Sequence, residues 1–175
     1  DNVNISVGQG DVLVTPLQLA NAYATLANGG VSFAPNIVSY VLERDGTVLK
    51  EFGVRVKGQV EIDSDFKNRI LSGLVGVTED EEGTAYWAFN SIATDGAFFP
   101  LENFPVAGKT GTAEVRGKAD SSLFAAFLPA QDPEYVIVTI LEEAGFGSAV
   151  AAPMSARVMK RVVEDSVSEA LTTEN

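Results

Sequence analysis

The chain has 175 residues, nearly half of them hydrophobic, which suits one domain or a large part of one. Its formal net charge of −12 argues against nucleic-acid binding, because contacts to phosphate need clustered Lys and Arg side chains. The sequence contains no Cys and no His, which excludes disulfides and thiolate metal sites and leaves acid–base chemistry to Lys, Asp, Glu or Tyr.

The first predicted element is a helix near the start of the chain. Thr15 followed by Pro16 is typical of a helix start, with Thr as the capping residue and Pro in the first helical position. Gly29-Gly30 predicts the end of the helix. The residues between them are mostly apolar or small and leave no polar face, so we expect a largely buried helix.

A small β region and a second helix are predicted next. Residues 31–60 favour strands, and Asp45-Gly46 within them is a hairpin turn signal. Apolar residues at helical spacing then predict a helix that begins at Asp63 or Ser64 and ends near Val77.

The rest of the chain predicts an acidic loop at 78–83, an irregular aromatic segment at 84–105, and then a run of strands. The predicted strands cover residues 106–115, 122–128 and 135–141. A final helix is expected to begin near Pro153, and residues 172–175 form a polar tail. This order of elements predicts an α+β fold.

The most informative motif is Lys109-Thr110-Gly111-Thr112. Together with Gly108 it matches the end of a nucleotide-binding P-loop, but that loop needs another Gly five residues earlier, where Asn103 stands. The P-loop also needs a helix to follow, whereas residues 112–117 predict a strand and then a turn. The P-loop interpretation is therefore disfavoured.

On a strand, the same motif has a different chemistry. Side chains alternate, so Thr110 and Thr112 share one side while Lys109 lies on the other, and Gly111 lets another backbone approach. An edge strand of this kind can pair with an extended peptide, and two hydroxyls near a cation suit a peptide carboxylate. The alternative is an ordinary strand with a Lys side chain that reaches solvent. These four residues alone do not decide between the two.

The motif and its neighbours resemble class B penicillin-binding proteins, the D,D-transpeptidases that cross-link peptidoglycan. Residues 106–113 look like the third of the family's S-x-x-K, S-x-N and K-T-G motifs with its usual flanks. Similar segments follow the family's order along nearly the whole chain: Gly8-Gln9-Gly10, Thr15-Pro16-Leu17-Gln18-Leu19-Ala20, Ala27-Asn28-Gly29-Gly30, Gly83-Thr84-Ala85, residues 121–129 and 135–141, and Ala151-Ala152-Pro153.

The resemblance implies that residues 1–175 are the C-terminal part of a single transpeptidase domain, with a serine β-lactamase/transpeptidase-like fold in which antiparallel strands pack with helices. In the family, the S-x-x-K and S-x-N motifs precede the Gly-Gln-Gly segment. The nucleophilic Ser is therefore expected upstream of Asp1, and the chain alone is expected to be inactive. The parent is expected to form a serine acyl-enzyme with D-Ala-D-Ala stem peptides and with β-lactams.

The resemblance also implies roles for the motif residues. Lys109 would hold positive charge at the site and support proton transfer through the serine of the S-x-N motif. The hydroxyls of Thr110 and Thr112 would bind the terminal carboxylate, and the Thr112 backbone N–H would donate to the oxyanion. Gly111 completes the motif. No metal or organic cofactor is implied.

The implied partners are peptidoglycan stem peptides, β-lactam antibiotics, the upstream part of the same domain, and other cell-wall or division proteins. The implied location is the outer face of the bacterial cytoplasmic membrane, with an anchor in the upstream segment. Two alternatives remain open. One is a related D,D-carboxypeptidase or β-lactam sensor, and the other is a noncatalytic binding module that keeps the fold.

Three other features have a functional and a structural interpretation. Ser64 and Lys67 match S-x-x-K literally, but their place after the Gly-Gln-Gly segment favours a helix cap and a solvated Lys. The acidic residues 79–82 lack the alternating spacing of a calcium loop, which favours a solvated loop. Several aromatic residues could line a cleft, although core and loop-anchoring roles are favoured: Trp87, Phe89, Phe98, Phe99 and Phe104.

Overall fold

The computed structural model describes Gly8, residues 12–91 and residues 98–173. The elements in chain order are α1 (Pro16–Ala27), β1 (Val31–Phe33), β2 (Tyr40–Leu42), β3 (Val48–Glu51), β4 (Val56–Gln59), α2 (Ser64–Glu79), α3 (Tyr86–Asn90), β5 (Ala107–Ala113), β6 (Ser121–Leu128), β7 (Tyr135–Leu141) and α4 (Ala151–Thr173). The predicted α+β class is confirmed. Of the Gly-Gln-Gly segment, Gln9 and Gly10 lie outside the described residues.

The central sheet consists of the last three strands, β5, β6 and β7. They are antiparallel, in the order β5-β6-β7, with Lys109 opposite Ala125 and Ala125 opposite Val138. All three strands are close to the predicted positions, and β6 and β7 are short apolar runs bounded by turn residues. The chain makes a turn between β6 and β7 at the predicted Asp132-Pro133.

Helices cover the central sheet on both faces. Alternate residues of β6 point to opposite sides, so Phe124, Ala126 and Leu128 pack in a core with α3 and α4. Phe127 points the other way, into a second cluster with α1 and α2. Seven of the eight residues of β6 are buried, which makes it the best-covered strand described.

Local capping explains where the first two helices begin. Thr15 Oγ1 accepts from the Gln18 backbone N–H at 3.2 Å, and Gln18 Oε1 accepts from the Thr15 N–H at 2.8 Å, which is a capping box. In α2, Asp63 Oδ1 accepts from the N–H groups of Asp65 and Phe66. Both predicted helix starts are confirmed.

The predicted burial of α1 is wrong. Only Ala27 in this helix is buried, and Leu17 is 61% exposed. One side of α1 packs against β1, β6 and β7, but no described element covers the opposite side. A helix with apolar residues on every side is buried only if other elements pack against every side, and α1 is packed on one side.

Residues 31–60, which we call the ribbon region, form two separate pairs of strands. β2 and β3 are an antiparallel hairpin around Asp45-Gly46, as predicted, and β1 pairs with β4. Every residue of β2, β3 and β4 is exposed. The ribbon region therefore adds no buried layer to the fold.

Three predicted boundaries change. Thr78 and Glu79, predicted as loop, are the last two residues of α2, and the segment predicted as irregular contains the short helix α3. Two residues of the predicted polar tail, 172–173, are the end of α4, and residues 174–175 lie outside the described residues. No helix in the described part of the chain has the length and apolar composition that a membrane span needs.

Candidate active site

The Lys109-Thr110-Gly111-Thr112 motif lies in β5, at the edge of the central sheet. The strand pairs with β6 on one side, where Thr110 is opposite Phe124, and with no described strand on the other. An unpaired strand edge can accept an extended peptide. The strand conformation also excludes a P-loop, because a P-loop continues into a helix at this point.

The motif's side chains divide between the two faces of β5. Lys109 shares its face with Ala107, which packs into the cluster with α1 and α2. Thr110 and Thr112 lie on the opposite face, where each contacts a polar group from another part of the chain. The cation and the two hydroxyls are therefore separated by the strand, as the alternation predicts.

Lys109 lies in an open groove between α2 and β5. The groove has a volume of ≈ 460 Å³ and is lined by Ser72, Gly73, Gly76, Val77, Asp80, Glu82, Gly83, Thr84 and Lys109. The Lys109 ammonium donates to the carbonyl oxygen of Thr110 at 2.8 Å. Among these lining residues Lys109 is the one cation, and Asp80 and Glu82 are the two carboxylates.

The two Thr hydroxyls have different neighbours. Thr110 Oγ1 lies 2.8 Å from Thr84 Oγ1, in the turn after α2. Thr112 Oγ1 accepts from the backbone N–H of Gly147 at 3.4 Å. A hydroxyl that accepts a hydrogen bond still has its own proton to donate. Both hydroxyls can therefore serve as donors to a ligand with acceptor oxygens.

The loop before α4 is fixed against the motif strand. A Cβ atom on Gly147 would overlap backbone atoms of Gly111 and Leu123, so only Gly allows this approach. The buried Ser122 hydroxyl donates to the Phe146 carbonyl oxygen and accepts from the Ala151 N–H, both at 3.0 Å. The strand that carries the motif is thus supported from this side.

The end of α2 is tied to the start of β5 by a buried hydrogen bond. The Thr78 hydroxyl donates to the Val106 carbonyl oxygen at 2.7 Å, and Thr78 is fully buried. The Asn90 side chain donates to the Thr78 carbonyl oxygen at 2.8 Å, which adds α3 to the same unit. The groove wall and the motif strand are therefore held in one fixed arrangement.

This arrangement agrees with what comparison of the sequence with known families shows. The family described as "Penicillin binding protein transpeptidase domain" matches residues 1–160. The chain belongs to this family. The resemblance seen in the sequence is confirmed, and so is the predicted fold, since solved transpeptidase domains superpose on this structure.

Relatives of this transpeptidase-domain chain come from several bacteria. It is 30% identical over 175 residues to the peptidoglycan D,D-transpeptidase MrdA of Haemophilus influenzae. The match covers 91% of this chain and 25% of the relative. The chain thus spans about a quarter of the length of the curated relatives it matches.

Two solved structures illustrate the likeness. The structure of Pseudomonas aeruginosa PBP2 in complex with WCK 5153 is 30% identical, with a TM-score of 0.67, and the match covers 89% of this chain and 31% of that one. Penicillin-binding protein A of M. tuberculosis, in its ceftriaxone acyl-enzyme complex, is 26% identical, with a TM-score of 0.71, over 90% of this chain and 34% of that one.

The S-x-x-K match at Ser64 and Lys67 is not at the groove. Ser64 is the exposed first residue of α2, and no hydrogen bond joins its hydroxyl to the Lys67 ammonium. Lys67 lies in an apolar crevice between α1 and α2. Ser72, which does line the Lys109 groove, is eight residues further along α2, about 12 Å along the axis. The structure therefore supports a helix cap at this place, and the cap is Asp63, while Ser64 is the first helical residue. Lys67 is half-buried, so the expectation of a solvated Lys is wrong.

The acidic residues 79–82 lie at the end of α2 and in the turn after it, where a side chain accepts a hydrogen bond from the nearby backbone. Asp80 follows the last residue of α2, and its Oδ1 accepts from the Glu82 N–H at 2.9 Å. In the part of the chain that the structure describes, no group of three or more Asp, Glu, His or Cys residues is placed to hold a metal ion.

The aromatic residues predicted to anchor the core are divided in the structure. Phe89 and Phe99 are buried and pack edge to face, with ring centroids 5.2 Å apart, and Phe104 packs against their cluster. For these three the prediction is confirmed. It is wrong for Trp87 and Phe98, which are exposed. Trp87 lies on α3, and a five-residue helix can turn only part of its surface towards the core.

Sequence reasoning did not identify the two residues that contact the motif hydroxyls. Thr84 was noted only as part of the Gly83-Thr84-Ala85 resemblance, and Gly147 was not noted at all. Thr84 is 26 residues from Thr110 and Gly147 is 35 residues from Thr112, so no local pattern links them. The family resemblance of Gly83-Thr84-Ala85 was the one available signal.

Proposed function

We propose that this chain is the C-terminal part of the transpeptidase domain of a serine D,D-transpeptidase that cross-links peptidoglycan. The observation that supports this most directly is the Lys109-Thr110-Gly111-Thr112 motif on an edge strand beside an open groove, in a chain of the transpeptidase family. The nucleophilic Ser, its Lys partner and the S-x-N motif then belong to a part of the protein upstream of Asp1.

The proposed reaction has two acyl-transfer steps. The Ser hydroxyl attacks the D-Ala-D-Ala carbonyl carbon, forms an ester to the enzyme, and releases D-Ala, which leaves with the hydroxyl proton. The amine of a second stem peptide attacks this ester, forms the cross-linking amide, and returns a proton to the Ser oxygen. A β-lactam reacts in the first step alone, because its opened ring remains attached to the carbonyl.

The motif residues would support these steps without a metal or organic cofactor. The Lys109 ammonium would hold positive charge beside the reacting groups and favour proton transfer through the S-x-N serine. The hydroxyls of Thr110 and Thr112 would donate to the terminal carboxylate, and the Thr112 backbone N–H would donate to the oxyanion. Gly111, which lacks a side chain, would leave the strand edge open to the extended stem peptide.

The substrate determines the proposed setting. Peptidoglycan stem peptides lie outside the cytoplasmic membrane, so we place the protein on the outer face of that membrane, anchored by an upstream segment. The upstream part of the domain is a partner within the same protein, and other cell-wall or division proteins are expected partners. The acidic chain itself gives no basis for nucleic-acid binding.

The first experiment is labelling with a fluorescent penicillin. The longer protein is expected to become labelled, with one acyl adduct in intact-protein mass spectrometry, whereas the chain 1–175 alone is expected to remain unlabelled. A stoichiometric adduct on the chain alone would overturn the assignment of the nucleophile to the upstream part. Product analysis then separates a transpeptidase from a carboxypeptidase, since the first yields cross-linked peptides and the second trimmed ones.

The second experiment tests Lys109 in the longer protein. Lys109→Ala is expected to slow penicillin acylation at least about a hundredfold, the usual scale for a group that assists proton transfer, with little change in the melting temperature. Lys109→Arg keeps the charge but has a larger planar group. We expect it to restore the acylation rate poorly, because in this proposal a compact amine must fit between the serines of the S-x-x-K and S-x-N motifs. Wild-type rates in Lys109→Ala would show that the strand is structural.

A third variant separates the two proposed roles of Thr112. Thr112→Val removes the hydroxyl and keeps the backbone N–H, so carboxylate recognition is expected to weaken about five- to tenfold while the oxyanion donor remains. The effect should therefore be seen with a β-lactam that has a free carboxylate and be absent with its methyl ester. An equal loss with both compounds would contradict the carboxylate role.

A further inference from the structure

Thr84 lies outside the catalytic motif but contacts it directly. Its Oγ1 is 2.8 Å from Thr110 Oγ1, a normal distance for a hydrogen bond between two hydroxyls. Thr84 also lines the groove that contains Lys109. Its hydroxyl makes no other hydrogen bond within the described residues, so its proton is available for Thr110.

The backbone around Thr84 is held by close packing. A Cβ atom on Gly83 would overlap the carbonyl oxygens of Gly76, Val77 and Asp80, so the turn fits against the end of α2 only with Gly at this position. On the other side, Ala85 is buried, and its N–H donates to the Val77 carbonyl oxygen at 2.9 Å.

The same end of α2 is joined to the motif strand. The buried hydrogen bond from Thr78 to Val106, at 2.7 Å, connects it to the residue before β5. Thr84 and Thr110 therefore belong to two backbones that are locked together, and the short distance between their hydroxyls does not depend on a mobile loop.

The direction of this hydrogen bond matters for carboxylate binding. Each hydroxyl has one proton, and a carboxylate has only acceptor oxygens. If Thr110 donates to Thr84, no Thr110 proton is left for a carboxylate. If Thr84 donates to Thr110, the Thr110 proton is free, and a chain from Thr84 to Thr110 to the carboxylate polarises each bond in turn.

We propose that Thr84 is a positioning residue for the terminal carboxylate of the substrate. Its hydroxyl donates to Thr110 Oγ1 and thereby turns the Thr110 proton towards the carboxylate of the stem peptide or β-lactam. This inference rests on the proposed function, because it assumes that Thr110 binds that carboxylate. Thr84 does not touch the substrate and acts only through Thr110.

The test uses the longer protein and measures second-order rates of acylation by a penicillin and by its methyl ester. Thr84→Val is expected to slow acylation by the penicillin about five- to tenfold, the scale of one hydrogen bond, and to leave the ester rate unchanged within about twofold. Thr84→Ser keeps a hydroxyl and is expected to restore the penicillin rate. The matched control is Thr25→Val, which removes a hydroxyl bonded within α1 to the Asn21 carbonyl oxygen.

A double-mutant cycle tests whether Thr84 acts through Thr110. In a Thr110→Val background there is no hydroxyl to orient, so Thr84→Val is expected to have no further effect on the penicillin rate. Additive losses would overturn the inference. Equal slowing of the penicillin and its ester by Thr84→Val would also overturn it, because a general disturbance of the fold does not depend on the carboxylate.

The outcomes separate this inference from the proposed function. If the wild-type longer protein is not acylated at all, the proposed function fails and the inference fails with it. If the wild type is acylated and Thr84→Val reacts at the wild-type rate with the penicillin, only the role of Thr84 fails. Thermal unfolding of each variant confirms that the rates compare folded proteins.

Discussion

The central sheet and the ribbon region differ most in burial between β6 and the strands β2, β3 and β4. β6 is buried at all but one position, with helices on both faces, whereas every residue of β2, β3 and β4 is exposed. The difference reflects the layers around each strand and also the strand residues, since β3 and β4 contain Lys, Glu and Gln whereas β6 is apolar after its first two Ser residues. The candidate motif lies in β5, in the region where neighbours on both faces of the strand hold side chains in place.

Two-stranded ribbons depend on their turns because they bury little surface. In the hairpin of β2 and β3, the Glu43 N–H donates to the Thr47 carbonyl oxygen at 2.8 Å and Asp45 accepts from the Thr47 N–H. The central sheet depends instead on packing between aromatic and aliphatic side chains. Substitutions in the two regions should therefore have effects of different size and kind.

The largest expected effect is at Phe124, in the centre of β6. This residue is fully buried, and its ring centroid is 5.8 Å from that of Phe89. Phe124→Ala is expected to lower the free energy of unfolding by about 3–5 kcal/mol, whereas Leu49→Ala in the ribbon region should change it by less than about 0.5 kcal/mol. Denaturant unfolding of the longer protein measures both values, and comparable losses would contradict the contrast.

A smaller loss is expected where the groove wall joins the sheet. Thr78→Val keeps the shape of the side chain but leaves the Val106 carbonyl oxygen without its 2.7 Å partner. We expect a loss of about 1–3 kcal/mol in unfolding free energy, because a buried acceptor is left unsatisfied. Thr78→Ser retains the hydroxyl and serves as the control. If Thr78→Val and Thr78→Ser lower the free energy of unfolding equally, the hydrogen bond does not hold α2 to β5.

The same contrast explains which elements could be predicted from the sequence. Elements with strong local signals were predicted well: the Thr15-Pro16 helix start, the Asp45-Gly46 hairpin, and the three central strands. The burial of α1 was predicted wrongly, because the apolar composition of a helix shows which residues it can bury but not whether another element packs against them. Exposed Trp87 illustrates the same limit for a single side chain.

The candidate site divides in a similar way. That the motif forms a strand, with Lys109 on one face and two hydroxyls on the other, followed from period-two alternation and from the strand-like residues after it. The contacts of those hydroxyls with Thr84 and Gly147 could not be predicted, because they join residues 26 and 35 positions apart. Such contacts depend on tertiary packing, and the spacing of neighbouring residues in the sequence does not predict it.

Exposure in the ribbon region predicts self-association of the chain 1–175 on its own. Ile37, Leu49 and Val54 are 101%, 63% and 83% exposed, and large exposed apolar surface favours association. We expect concentration-dependent sedimentation, which a triple serine variant at these positions should reduce. The control replaces Lys50, Glu51 and Lys57 with serine. A wild-type chain that sediments as a monomer at all concentrations would contradict this prediction.

The smallest expected effect concerns the hairpin turn and pH. The Thr47 backbone N–H donates to Asp45 Oδ1 at 2.9 Å, and this hydrogen bond, aided by the Thr47 side chain, lowers the pKa of Asp45 below its ordinary value. A lowered pKa means that the carboxylate stabilises the turn above the unfolded pKa of about 3.9 and loses this effect as the pH falls through the folded value. Because Asp45 is exposed, the change should be local to the hairpin.

The amide proton shift of Thr47, followed by NMR from pH 7 to pH 2, tests this directly. In the wild type the shift is expected to change with a midpoint below about 3.9, since protonation weakens the carboxylate as an acceptor. Asp45→Asn keeps an acceptor oxygen that does not titrate, so its Thr47 shift should stay constant, whereas Asp45→Ala should resemble the acid form at every pH. A midpoint at or above 3.9 would show that the hydrogen bond does not favour the charged form. In that case the ribbon would be held by its strand pairing and not by the chemistry of its turn.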